Sequence, residues 1–188
     1  LFPLGEWYCQ LWGESIGKRF SLKGEKIEAG STPIAASGPR DQHSQLQLYI
    51  EGPKDKFVLF FKIENFEKNF PISISEELPI DEKSSCLKSQ NLTSLLNAEL
   101  FATATALAEE KCPSSIVTLP YCHAYGLGEL MFLLQVTTFF AGGLYNVNPF
   151  DQPGVELAKK LTLEFLHKTT LNQNSPMMWR KLEKKFMI

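Results

Sequence analysis

The sequence predicts an α/β layered fold with a mostly parallel sheet. Two short apolar runs, "KFVLFFKIE" (56–64) and "SSIVTLP" (114–120), are continuous rather than alternating, as strands buried inside a sheet are. Long helical patterns stand between and after them, at 91–111, at 124–144 and from Pro153. The composition is that of a globular domain with a real core. Of 188 residues 44% are hydrophobic, 14 are Phe and 21% are charged.

The elements follow in order. Residues 5–14 are expected to be helical, with Trp7, Tyr8 and Leu11 on one face and an end near Gly13. "SIGKRFSLKGEKIEAGS" (15–31), rich in glycine and lysine, reads as a loop, and "TPIAAS" (32–37) as a short strand. Asp41 is expected to cap a helix whose core face is Leu46, Tyr49 and Ile50, stopped by Gly52-Pro53. Residues 65–90 lack periodicity and are expected to wrap the surface. The 91–111 segment is a long helix rich in Ala and Leu. After the apolar helix and the loop "YNVNPFDQ", Pro153 suits a first helical turn, and a last amphipathic helix is expected over 175–187. Only about three strands are legible, where about five or six are usual in a doubly wound sheet. Either strands escape notice, or part of the domain lies outside this chain.

The totals exclude several functions. Net charge is −2 and the basic residues are scattered, so nucleic acid is not an expected partner. The apolar run 130–144 stops short of the roughly 20 residues a membrane span needs, so a buried helix and no membrane are expected. Cys9, Cys86, Cys112 and Cys122 have no framework spacing, which favours a reduced, cytoplasmic setting. There the sequon Asn91-Leu92-Thr93 would stay unmodified. Cys112, Cys122 and His123 match no zinc pattern, and no metal is expected.

Three polar clusters at element boundaries are candidates for chemistry. Gln10 and Glu14 are four residues apart, on one helix face. Glu14, beside Trp12 at a helix end, is the best acid/base candidate, because partial removal from water makes a carboxylate a better proton acceptor. Its plainer reading is a surface glutamate. Gln42, His43 and Gln45 crowd the mouth of a helix, where the backbone dipole favours a neutral imidazole able to accept a proton. A capping histidine is the alternative. In "NPFDQPGVELAKK" (148–160), Gln152 and Lys159 are two helical turns apart and point the same way, with Leu157, Leu161 and Phe165 opposite. That fits a site wall. A solvated lysine beside a Glu156–Lys160 surface pair fits as well.

Taken together, "EWYCQLWGESIGK", "GPRDQHSQLQLYIEGPKDK" and "NPFDQPGVELAKK" resemble the C-terminal part of glucose-6-phosphate isomerase (phosphoglucose isomerase) in its bacterial form. The similarity runs over about residues 1–166. It implies a three-layer sugar-isomerase (SIS) fold, incomplete here, with residues 1–166 as the C-terminal portion of a second SIS domain and 167–188 as a helical tail. It also implies a homodimeric enzyme that interconverts glucose 6-phosphate and fructose 6-phosphate through a cis-enediol, with no cofactor and no metal. By the same resemblance Glu14 matches the base that moves the proton between C2 and C1. His43 matches the histidine that assists ring opening, contributed across the subunit interface. Lys159 matches the lysine at the ring oxygen, and Gln10 and Gln152 match substrate-contacting glutamines.

A family subunit is much longer. The first SIS domain, the Ser/Thr-rich phosphate pocket and an arginine that stabilises the enediolate have no counterpart in this chain. The expectation is therefore a fragment, inactive alone. A non-catalytic SIS-type sugar-phosphate module is the alternative, and a segment that mainly supplies subunit contacts is a third.

Overall fold

The structure is a computed structural model that describes residues 1–75, 81 and 84–171. Helix α1 (Phe2–Ile16) starts earlier than expected, with Pro3 in its first turn, where a missing N–H costs nothing. It also runs through Gly13 and stops at Gly17, whose N–H donates to the Gly13 carbonyl at 3.1 Å. A Cβ at Gly17 would lie 2.6 Å from that oxygen, so the chain leaves the helix here only with glycine.

The stretch expected as a loop is instead a hairpin, β1 (Lys18–Phe20) and β2 (Lys26–Ala29), antiparallel and irregular in register. Ser21 makes its turn. The hydroxyl accepts from the N–H groups of Lys23 and Glu25, each at 3.2 Å, and the backbone closes with Ser21 N–H to Glu25 O at 2.8 Å. No strand forms at 32–37. The helix expected to start at Asp41 is two short ones, α2 (Gly38–Asp41) and α3 (Leu46–Glu51), separated by a turn.

Two strands form the central sheet: β3 (Val58–Asn65) and β4 (Ser114–Tyr121), parallel and in register, with Phe61 opposite Val117 and Ile63 opposite Leu119. Between them come a 3-10 turn (Ser84–Ser89) and α4 (Leu92–Glu109). The sequon has a structural use: the Asn91 side chain accepts from Ser94 N–H, and the Ser94 hydroxyl accepts from Asn91 N–H, a capping box that starts α4. Helices α5 (Ala124–Tyr145) and α6 (Pro153–Leu171) complete the described chain. The helix expected at 175–187 lies outside the described residues.

Period-2 geometry puts Phe61, Ile63, Val117 and Leu119 on one sheet face. There they meet Leu130 and Leu134 of α5 and Leu4, Trp7 and Tyr8 of α1. The opposite face turns Lys62 over the Phe101 ring of α4, at 5.0 Å from its centroid. The order of layers is α1 with α5, sheet, α4. Both strands are expected to be buried on both faces, yet most of their residues are half-buried or exposed, because among the described residues each strand pairs on one side only.

Among the described residues α5 is the one helix long and apolar enough to cross a membrane. It is buried on one side only. Leu130, Leu134, Thr138, Ala141 and Gly142 form a stripe at helical spacing, while Phe132, Phe140 and Leu144 on other faces stay exposed. A Cβ at Gly142 would lie 2.9 Å from Pro149 Cγ, so this glycine lets the following loop fold back onto the helix. Asn146 makes the reversal in the left-handed region, at φ 57°, and buries Val147.

A candidate active-site wall

The last turn of α1, the β1–β2 hairpin and the loop after α5 meet at one corner. Leu22 N–H donates to Asn146 O at 2.8 Å, tying the hairpin to the loop. Along the seam between α1 and α5, burial pushes the Tyr8 phenol up from its ordinary pKa, and the Thr138 side chain opposes that shift. These contacts bring residues distant in sequence together.

Glu14 stands at that corner, half-buried. Gln10 Nε2 donates to Glu14 Oε1 at 3.2 Å, as the i, i+4 spacing predicts. Gln152 Nε2, 138 positions away in the chain, donates to Glu14 Oε2 at 2.8 Å. An ionised carboxylate has about four acceptor sites, so each oxygen keeps a lone pair after these two bonds. Two amides thus fix the orientation of the carboxylate without consuming its capacity to take a proton. The Trp12 indole turns away, donating to Ser31 Oγ at 3.1 Å.

Lys159 is on the first turns of α6, exposed, with Nζ 2.7 Å from Glu156 Oε1. The surface pair expected between Glu156 and Lys160 is therefore made by Lys159 itself. The Glu156 carboxylate raises the Lys159 ammonium above its ordinary pKa, and Glu14 adds to the effect. Lys159 thus lies within the electrostatic reach of Glu14.

His43 is not at this corner. It occupies the turn between α2 and α3, and its N–H donates to Arg40 O at 3.3 Å. Arg40 in turn stacks over Phe2, 5.0 Å from the ring centroid, at the other end of α1 from Glu14. Phe2 and Glu14 are twelve positions apart on α1, on the order of 18 Å. Helix α3 starts only at Leu46 and has six residues, so the dipole expected at His43 has little helix behind it. Asp41 does not cap α3. Its buried carboxylate accepts from Ser37 N–H at 2.6 Å, from the Arg40 guanidinium twice at 3.0 Å and from the Ser44 hydroxyl at 3.0 Å. Arg40 foremost, then Ser37, hold the Asp41 carboxyl far below the usual carboxylate range. Of the flanking glutamines, Gln42 donates to Glu99 O of α4 at 3.3 Å and Gln45 accepts from Tyr49 at 2.5 Å.

Lys18 escapes a reading of the sequence by candidate clusters, because it lies in the stretch taken for a loop. It is buried, and Nζ donates to the carbonyls of Glu14 at 2.5 Å and Ser15 at 3.0 Å. Asp151 Oδ1 stands 3.7 Å from it. Burial lowers the Lys18 pKa and Asp151 opposes that shift. One signal was available: a cation four residues after Glu14, where a helix end presents unpaired carbonyls.

The remaining histidine and cysteine candidates are dispersed. His123 Nδ1 accepts from Gly126 N–H at 2.9 Å and caps α5, while the Cys112 thiol donates to Tyr49 O at 3.1 Å. Among the described residues no group of three or more His, Cys, Asp or Glu could hold a metal ion. Cavities of about 350 and 340 Å³ flank opposite ends of α5, and neither is lined by Glu14, Gln10 or Gln152. The Glu14 corner is an open wall.

The family model described as phosphoglucose isomerase matches residues 1–177. The chain belongs to the phosphoglucose isomerase family. Within that family, the glucose-6-phosphate isomerase of Carboxydothermus hydrogenoformans is 40% identical over 163 residues, which are 87% of this chain and 35% of the relative. A Thermus thermophilus enzyme of the same name is 42% identical over 162 residues, 86% of this chain and 38% of the relative. This chain therefore spans little more than a third of the length of those phosphoglucose isomerases.

A crystal structure of a hypothetical protein from Thermus thermophilus superposes with a TM-score of 0.80 at 41% identity, over 88% of this chain and 38% of that one. The structure of a glucose-6-phosphate isomerase from Chlamydia trachomatis, 23% identical, shows the shared fold with a TM-score of 0.75 over 97% of this chain and 35% of that one. The α/β architecture with a parallel sheet is the SIS-type fold of phosphoglucose isomerases, and among the described residues that sheet is incomplete, with two strands.

Proposed function

We propose that this chain works within a longer subunit as part of an aldose–ketose isomerase that interconverts glucose 6-phosphate and fructose 6-phosphate. The observation that carries the reading is the Glu14 carboxylate, held by Gln10 on its own helix and by Gln152 from the loop before α6. Such a base can take the proton from C2 of the open-chain aldose and return it to C1 of the cis-enediol, since adjacent carbons lie within reach of one carboxylate. Gln10 and Gln152 contribute amide donors and acceptors of fixed direction, suited to a polyol. Lys159, a cation in the field of Glu14, is assigned to the ring oxygen during opening.

His43 belongs to the same proposal as the group that moves the C1 hydroxyl proton, supplied to a neighbouring subunit of a homodimer. Its side chain is exposed, makes no hydrogen bond among the described residues and lies far from Glu14 along α1. Cytoplasmic residence fits the free thiols of Cys9, Cys112 and Cys122, and fractionation of the source cells tests it. Residues 1–166 are read as the C-terminal portion of the second SIS domain and 167–188 as its tail.

The test of the central role is Glu14→Gln in a complete family subunit carrying this segment. Loss of a general base should lower kcat by about 10²–10⁴-fold with KM little changed. Unaltered turnover would remove Glu14 from the chemistry and favour a module that binds sugar phosphate without converting it.

A further inference from the structure

We propose that Lys18 is a positioning residue for the Glu14 site: its buried ammonium clamps the last turn of α1 to the loop that carries Gln152. The inference rests on the isomerase reading above and adds to it a residue that touches no substrate. Lys18 is 6% exposed, and two of its three donors go to the carbonyls of Glu14 and Ser15. These carbonyls belong to the final turn of α1, which has no helical partners for them and carries the negative end of the helix dipole. The third direction faces Asp151, at 3.7 Å. Asp151 directly precedes Gln152, whose amide reaches Glu14 Oε2.

The contacts close a ring. It runs from the Glu14 backbone through Lys18 and Asp151 to Gln152 and back to the Glu14 side chain. Gly17 is the only residue between α1 and Lys18, so the ammonium has little slack in where it sits. Without the clamp, both the turn bearing the base and the loop bearing its amide partner lose their common reference. Displacement of a reacting group by about 1 Å costs up to about a hundredfold in rate. The loss should fall mainly on kcat, with a smaller effect on KM because Gln152 is one of several groups assigned to the polyol.

The test compares Lys18→Met, Lys18→Arg and Asp151→Asn in a complete family subunit carrying this segment, with wild type and Glu14→Gln in the same assay. Lys18→Met should lower kcat by roughly tenfold to a hundredfold with KM within about twofold. Lys18→Arg, which keeps charge and donors, should recover part of the loss. Asp151→Asn should also lower kcat, by less, and its effect should largely vanish in a Lys18→Met background, since both break one ring.

Normal kcat in folded Lys18→Met, or strictly additive effects in the double variant, would overturn the proposal. If Lys18→Met fails to fold, Asp151→Asn decides: its carboxylate is more than half exposed, and unchanged kcat there overturns the clamp. An inactive wild type, or a Glu14→Gln variant with normal turnover, would instead overturn the isomerase reading.

Discussion

The corner at Glu14 and the turn at His43 use the same kinds of side chain to different ends. At the turn, Asp41 accepts from Ser37, Arg40 and Ser44, all within four residues of it. At the corner, Glu14 is held by a glutamine one helical turn away and by another 138 positions distant. A carboxylate saturated by its neighbours shapes the backbone and keeps no capacity for a ligand. One oriented by its own helix and by a side chain far along the chain, with lone pairs left over, is placed for chemistry. His43 is what the Asp41 turn presents outward.

The largest test of this contrast is on the scaffold. Leu134 is 3% exposed on α5, beneath the sheet and α1, so Leu134→Ala should lower stability by about 2–5 kcal/mol in urea unfolding. Leu48→Ala in α3, where the side chain is 54% exposed, should cost about 0.5 kcal/mol or less. Equal losses would erase the distinction between a corner built on the core and a turn resting on the surface.

A smaller effect separates the two carboxylates by pH. The folded-state pKa of Asp41 is depressed, so its contribution to stability is fully present above the ordinary aspartate pKa of about 3.9 and is lost as pH falls through the folded value. Melting temperatures of wild type and Asp41→Asn should differ at neutral pH and converge as the solution is acidified below about pH 4. A difference constant down to the lowest accessible pH would show that the charge of Asp41 does not hold the turn.

The sequence made some of this legible and hid the rest for physical reasons. The strands at 58–65 and 114–121 are built around apolar stretches, Val58–Phe61 and Ile116–Val117, and the helices at 92–109 and 124–145 are long, so packing and local pattern agree. The hairpin at 18–29 was hidden because its strands have three and four residues and bury little but Lys18. Asp41 looked like a helix cap because side chain and position suit one. Its bond to Ser37 N–H, four residues before it, closes α2 instead. Within the site, the Gln10–Glu14 pair follows from helical spacing alone. The bond from Gln152 to Glu14 depends on the return of the chain after α5, which no local pattern encodes. Lys18 was obscured by its surroundings: one buried lysine among five in residues 18–56 looks like the others until burial is known.

The central claim, that the Glu14 corner and the His43 turn serve two different subunits, is tested most directly by mixing. Glu14→Gln and His43→Asn subunits of a complete family enzyme carrying this segment should each be nearly inactive as homodimers. Dissociated and reassembled together, they should recover isomerase activity, because each mixed dimer then contains one site with both Glu14 and His43 intact. No recovery from a mixture shown to contain mixed dimers, or a His43→Asn homodimer with wild-type kcat, would contradict the account.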